Sequence, residues 1–177
     1  MTLQIRRARP DDAAELAALA HRVWAETYFA GNPGEEGSQY MAAEFNERAM
    51  RSLIDDPDVI LLTAEAGGQI IGLAHLVANR PEPGVRGANP IELLRLYVDT
   101  SWHGRGAGAS LLRSCVTHAT ERGHGSIWLS VWVHNARARA FYRKWDFEDV
   151  GMLHFVLGDE KHENRVLERR LQAPPMR

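Results

Sequence analysis

The sequence predicts an α/β fold, a mixed and mostly antiparallel sheet with helices on both faces. Three observations predict it. Short β-branched and aliphatic runs alternate with longer stretches whose apolar residues recur at three- and four-residue steps. A Gly-Gly pair joins two of the strand-like runs as a hairpin, and a glycine-rich turn leads from a strand into a long helix. At 177 residues, 45% hydrophobic and 25% charged, the chain suffices for one well-buried core. Residues 1–172 are therefore expected as a single domain, with a short tail at 173–177.

Leu3 and Ile5 alternate with polar neighbours as a first strand, closed by Pro10 and by Asp11, a good helix N-cap. A helix then runs to about Trp24, with Leu16, Leu19, Ala20 and Val23 as its apolar stripe. Gly31 to Ser38 is expected as a loop and Gln39 to Ile54 as a second helix, ended ahead of Pro57. Val59–Ala64 and Gln69–Leu76 form two antiparallel strands about Ala66-Gly67-Gly68. Three prolines and two glycines from Pro81 to Pro90 predict a flexible loop, and Ile91–Val98 a further strand. Gly104 to about Arg122 is helical, with Leu111, Leu112, Cys115, Val116 and Ala119 on one face, and Gly123 and Gly125 stop it. Ser126–Val133 is a strand and Ala136–Trp145 a short helix. Val150–Leu157 and Arg165–Leu171 close the chain as strands on either side of the Gly158-Asp159 turn. The order is β-α-α-β-β-β-α-β-α-β-β, without an internal repeat.

Charge and cysteine usage exclude several classes. Twenty-one Lys plus Arg against 23 Asp plus Glu give a net charge of −2, which supplies no summed positive field for nucleic acid. The single Cys115 cannot form an internal disulfide, and the eight histidines show no ligand spacing for a metal. The longest apolar stretch, Val59–Leu62, is far too short for a signal or a membrane span. These features predict a cytoplasmic protein without metal, membrane or nucleic-acid partners.

The most informative segment is the strand Glu92–Val98, then Asp99-Thr100-Ser101-Trp102-His103-Gly104-Arg105-Gly106-Ala107-Gly108, then a helix. Free amides and the helix dipole converge at such a turn, and phosphate is the natural ligand. A Walker loop would need Gly-Lys followed by Ser or Thr, which is absent, and a dinucleotide fingerprint would need Gly or Ala where Leu111 stands. A glycine turn without a ligand is the plain alternative.

The run His103–Gly108 resembles the pyrophosphate loop of GNAT-superfamily N-acetyltransferases: Gln or Arg, two residues, Gly, one residue, then Gly or Ala. Gly106 and Gly108 match, while His103 stands in place of Gln or Arg. Asn135-Ala136-Arg137-Ala138-Arg139-Ala140-Phe141-Tyr142-Arg143-Lys144-Trp145-Asp146-Phe147 is similar to the superfamily's Asn…Phe-Tyr…Gly-Phe segment, with Asp146 replacing Gly. By order of elements the resemblance covers nearly the whole chain. In detail, the segment from Tyr28 through the Glu92–Val98 strand and the Phe155–Asp159 turn is most similar to bacterial polyamine acetyltransferases of the spermidine/spermine type.

The resemblance implies acetyl-CoA as cosubstrate. Gly104, Arg105, Gly106, Ala107 and Gly108, with His103, would hold the pyrophosphate. Leu96, Tyr97 and Val98 would offer main-chain groups to pantetheine and thioester. Asn135 would hydrogen-bond the pantetheine arm, and Tyr142 would donate its proton to the departing thiolate. Arg105 and Lys144 would neutralise phosphates or remain solvated surface charges.

An alkyl ammonium has a pKa of about 10.4, so acetylation at neutral pH needs a base or a water relay. Glu92, 14 positions before Gly106, takes the offset of the base glutamate in some GNAT enzymes. It can equally pair with a nearby Arg. Tyr142 is a catalytic acid or a core tyrosine, and Cys115 a packing thiol. Trp24, Tyr28, Phe29, Glu35, Glu36 and Glu44 suit a cationic amine through charge and cation-π contacts, or form a solvated loop over core aromatics.

The expected function is direct acetyl transfer to a primary amine, in particular a small polyamine-like substrate. Alternatives are a protein or peptide N-terminal or antibiotic amine acetyltransferase, and, from another class, a non-catalytic acetyl-CoA-binding regulatory module. Homodimers are common in the superfamily and are an option here.

Overall fold

The computed structural model describes residues 2–172, so the tail expected at 173–177 lies outside the described residues. Its elements are β1 (Leu3–Arg7), α1 (Ala13–Phe29), α2 (Gly34–Glu44), α3 (Glu47–Asp55), β2 (Val59–Ala66), β3 (Gln69–Val77), β4 (Pro90–Val98), α4 (Ala107–Glu121), β5 (Ser126–Trp132), α5 (Ala136–Arg143), β6 (Glu148–Leu157) and β7 (Glu160–Arg170). The strands follow the order β1-β2-β3-β4-β5-β7-β6. β1 with β2, β5 with β7 and β6 with β7 are antiparallel, while β4 and β5 run parallel over Pro90–Glu92. This is the mixed, mostly antiparallel sheet that the sequence predicts. The chain divides into two compact units. One comprises the residues through Leu76 with Arg95–Cys115, and the other Val77–Leu94 with the residues from Val116 onward.

The first unit packs Leu16 and Leu19 of α1, Met41 of α2, Met50 of α3, Ile60 and Leu62 of β2, and Leu73 and Leu76 of β3 out of solvent. Gly67 and Gly68 both take positive φ, 60° and 79°, as a two-residue hairpin turn requires. Asp12, rather than Asp11, organises the first helix. Its Oδ2 accepts from the Arg9 amide at 2.7 Å and from Arg6 Nη1 at 2.7 Å. A 3-10 turn at Pro10–Asp12 therefore precedes α1.

α1 then runs five residues past Trp24, to the left-handed Ala30. Trp24 packs at 5.5 Å from Tyr28 and 5.1 Å from Phe29, with the rings tilted, contacts that reward another turn of helix. The loop expected from Gly31 to Ser38 shrinks accordingly, because α2 begins at Gly34 with Glu35 and Glu36 in its first turn, where carboxylates favour the dipole.

The single helix expected from Gln39 to Ile54 is two helices, and Asn46 is the reason. Its Oδ1 accepts from the Ala49 amide at 2.9 Å and caps α3, while Nδ2 donates to the carbonyls of Ala42 and Ala43 at the end of α2. One amide side chain thus satisfies both helix ends.

In the second unit, Ile127, Leu129 and Val131 of β5 pack with Val166 and Leu167 of β7, and with Ile91 and Leu93 of β4, as buried residues. The segment Pro81–Pro90, expected to be a flexible loop, is strapped down, as are the residues just ahead of it. The buried carboxylate of Glu168 accepts from Gly87 N at 2.7 Å and from Arg86 N at 3.1 Å. Trp128 Nε1 donates to the Arg80 carbonyl at 2.9 Å, His124 Nδ1 donates to the Asn89 carbonyl at 2.8 Å, and Gly125 N to the Ala88 carbonyl at 2.8 Å. A Cβ on Gly87 would collide with Ser126, so only glycine lets the strap lie this close. Proline-rich composition marks turns here without implying looseness.

Candidate active site

In the first unit, β4 ends at Val98 and a 3-10 turn at Thr100–Trp102 carries the chain to α4. The helix begins at Ala107, three residues later than the expected Gly104, because Gly104 and Gly106 take φ of 75° and 87°. A Cβ at either would meet no atom within 4 Å. Both glycines therefore serve the left-handed backbone, not a steric need within the chain. Ser110 N donates to the Gly106 carbonyl at 2.9 Å as the first rung of the helix. The amides of Ala107, Gly108 and Ala109 come before that rung, the group a helix leaves for a cap or an anion. Exposed Arg105 lies over the Trp102 ring, 5.2 Å from its centroid.

His103 does something its position in the motif did not suggest. Its Nε2 lies 2.9 Å from the Val98 carbonyl, and since a carbonyl only accepts, Nε2 carries the proton. The imidazole staples the loop back onto the end of β4. Tyr97 and Val98 are half-buried, and the Tyr97 carbonyl would lie 3.0 Å from a Cβ placed on Gly72 of β3. Leu96 is likewise half-buried.

A second cluster of this unit joins Arg95 and His75 to the Trp24, Tyr28 and Glu44 that the sequence singles out. Arg95 is buried in β4. Its Nη2 donates to Glu44 Oε2 at 2.6 Å, its Nη1 to His75 Nδ1 at 3.3 Å, and the guanidinium stands 5.1 Å over Phe45. Trp24 stacks on Tyr40 at 4.8 Å, and Phe45 meets Tyr97 edge-on at 6.3 Å. Burial and neighbouring phenols push the Tyr97 hydroxyl up, and burial does the same for Tyr28. The signal was available as a second charged residue, beside Glu92, inside a strand of mostly apolar residues. Cys115 is fully buried in α4, and burial pushes its thiol up, so it is a packing group.

In the second unit, Glu92 is buried and its Oε2 accepts from Arg80 Nη1 at 3.1 Å, the ion pair that sequence reasoning kept as an alternative to a base. Asn135 caps α5, its Oδ1 accepting from Ala138 N at 3.1 Å. Tyr142 is buried between Phe141 and Phe147, with ring centroids 5.3 and 5.4 Å away. Lys144 is exposed at the end of α5. Asp146, where the resemblance has Gly, holds φ of 61°, so the left-handed turn survives with a residue that tolerates it. Among the described residues no cluster of His, Cys, Asp or Glu could hold a metal, and no helix is long and apolar enough to cross a membrane.

Known proteins place these features in one family. The family model of the GNAT acetyltransferases matches residues 16–147. An uncharacterised N-acetyltransferase of Mycobacterium tuberculosis is 32% identical over 160 residues, 90% of this chain and 98% of its own. An aminoglycoside N(6')-acetyltransferase of Stenotrophomonas maltophilia is 27% identical over 82% of this chain and 86% of its own. The fold matches an N-acetyltransferase of Thermoplasma acidophilum in complex with coenzyme A, at a TM-score of 0.78 and 22% identity over 96% of this chain and 99% of that one. The chain belongs to the acetyltransferase (GNAT) family and is an acetyl-CoA-dependent N-acetyltransferase.

Proposed function

We propose that the enzyme passes acetyl directly from acetyl-CoA to the primary amine of a small molecule, without a covalent enzyme intermediate. The observation that carries this reading is the start of α4. Two left-handed glycines and the amides of Ala107, Gly108 and Ala109 make a cradle for a diphosphate. Gly104, Arg105 and Gly106 complete it, with Lys144 as a further counter-charge. His103 contributes by fixing the loop to β4. Main-chain groups of Leu96, Tyr97 and Val98 guide the pantetheine and polarise the thioester carbonyl, and Asn135 Nδ2 binds the arm.

The transfer balances simply. The neutral amine forms a C–N bond at the thioester carbonyl, the proton of the resulting ammonium leaves through Glu92 or a water relay, the C–S bond breaks as Tyr142 protonates the thiolate, and Tyr142 regains its proton from solvent. The Glu92 carboxylate pairs with Arg80 Nη1 at 3.1 Å, a pairing that a substrate amine would have to share. The buried Cys115 is no nucleophile. A polyamine-like acceptor, the finer expectation from sequence, would lean on Glu35, Glu36 and Glu44. Glu44 is already neutralised by Arg95, which leaves that class two exposed carboxylates on α2. The reduced lone cysteine fits a cytoplasmic setting.

Calorimetry with CoA and acetyl-CoA, followed by release of free thiol on a mixed amine panel, tests this function. Tyr142→Phe is expected to lower kcat by about a hundredfold while acetyl-CoA affinity changes less than about threefold. Absence of binding heat from folded protein would remove the proposal, and a fully active Tyr142→Phe would remove Tyr142 from the mechanism.

A further inference from the structure

Arg80 performs no step of the transfer just described, yet its guanidinium rests on the carboxylate that serves there as base. Nη1 lies 3.1 Å from Glu92 Oε2, and the two side chains differ sharply in exposure, 52% for Arg80 against 8% for Glu92. The arginine therefore stands between a buried carboxylate and solvent. Glu92 sits opposite Trp128, at the last residue pair over which β4 and β5 run parallel. Trp128 Nε1 in turn donates to the Arg80 carbonyl at 2.9 Å, so the main chain of Arg80 is fixed independently of its side chain.

A structural bridge is a poor account of this pair. The strap is already held at Arg86, Gly87, Ala88 and Asn89 by bonds to Glu168, Gly125 and His124. An ion pair with one half-exposed member adds little stability, whereas taking a carboxylate out of water is expensive. What the arrangement does supply is a cation site kept filled by the chain itself. An alkylamine with a pKa of about 10.4 reaches the enzyme as an ammonium. Exchanging one cation for another keeps the buried carboxylate paired throughout, and so avoids an uncompensated buried charge.

We propose that Arg80 is an internal stand-in for the acceptor's ammonium: the incoming amine comes to share Glu92 and then displaces the guanidinium from it. Arg80 thereby sets which amines the enzyme favours, namely those that arrive protonated. This rests on the direct transfer described above and on the place of Glu92 in it. Once seated, the ammonium passes one N–H proton to Glu92 Oε2 and keeps the lone pair that attacks the thioester, and Glu92 yields that proton to water. The Arg80 side chain turns into solvent while its main chain stays bonded to Trp128.

The experiment measures initial rates of thiol release at about pH 8.5 for butylamine and spermidine, largely protonated there, and for glycinamide, whose α-amine is largely neutral. Arg80→Ala is expected to lower KM for butylamine and spermidine about fivefold, with KM for glycinamide and for acetyl-CoA within about twofold of native. Millimolar guanidinium chloride should inhibit Arg80→Ala competitively against butylamine, by refilling the site, and the native enzyme far less. Arg80→Lys keeps a cation there and is expected to restore the native KM values and the resistance to guanidinium. If alanine unsettles the fold, Arg80→Gln still donates to Glu92 without a charge and is expected to lower KM for the charged amines about threefold. Unchanged or raised KM for butylamine and spermidine in the folded variant, or an equal gain for glycinamide, would overturn the displacement and leave direct acetyl transfer standing. Native enzyme that binds acetyl-CoA yet releases no thiol with any of the three amines would overturn both.

Discussion

Replacing Glu168 by Gln keeps the side chain's shape and changes what holds the 78–89 strap. In the native chain one oxygen accepts from Gly87 N at 2.7 Å and from Arg86 N at 3.1 Å, and the other also lies 3.1 Å from Arg86 N. Glutamine retains one acceptor and sets an NH2 against the Arg86 amide. Hydrogen bonds to a charged acceptor are worth about 1.5–3 kcal/mol against about 0.5–1.5 for neutral pairs. The loss is therefore about 1 kcal/mol per amide, or about 2 in all. Alanine would leave both amides without an acceptor and cost about 4 kcal/mol. Amide hydrogen exchange reads the change directly, since 2 kcal/mol corresponds to roughly thirtyfold faster exchange at Arg86 and Gly87 if the strap opens as a unit. Exchange within threefold of native in Glu168→Gln would refute the clamp, and the strap would then owe its order to its other bonds.

Four further outcomes are expected. Gly106→Ala places a Cβ on a residue at φ 87° and should weaken acetyl-CoA binding by about 1–2 kcal/mol in calorimetry, as the loop relaxes from its left-handed form. Asn46→Ala removes the bonds at both helix ends and should lower stability to urea by about 1–2 kcal/mol. Asp146→Gly, at φ 61°, should leave stability equal or raise it by up to about 1 kcal/mol, whereas Asp146→Val should lower it, both read as shifts in Tm. Arg6 holds the Asp12 carboxyl below its usual range, so the pair's contribution is complete above the unfolded value of about 4 and disappears as acidification passes through the lowered folded value. The stability gap between native protein and Asp12→Asn should accordingly close below about pH 4 and stay constant from pH 5 to 7.

Periodicity and glycine chemistry made the sheet and the order of its elements legible, because apolar steps and positive-φ turns act over a few residues. The Gly67-Gly68 hairpin and the Gly106 turn were visible for that reason. What composition could not convey was which polar group finds which. Asn46 reads as one more helix residue until its amide meets the carbonyls of Ala42 and Ala43 behind it and the Ala49 amide ahead. The strap reads as loose until Glu168, some 80 positions away in sequence, reaches its amides. Within the candidate site, the glycine loop and Tyr142 could be named from local patterns. The bond of His103 to Val98 and the gathering of Glu44, His75 and Arg95 from three separate elements could not.

Gly72 carries a wider consequence. A single methyl group there would press simultaneously on the Tyr97 carbonyl, Leu111 and Ala64, at 3.0, 3.1 and 3.4 Å. The floor beneath the end of β4 is therefore sealed against growth by even one carbon.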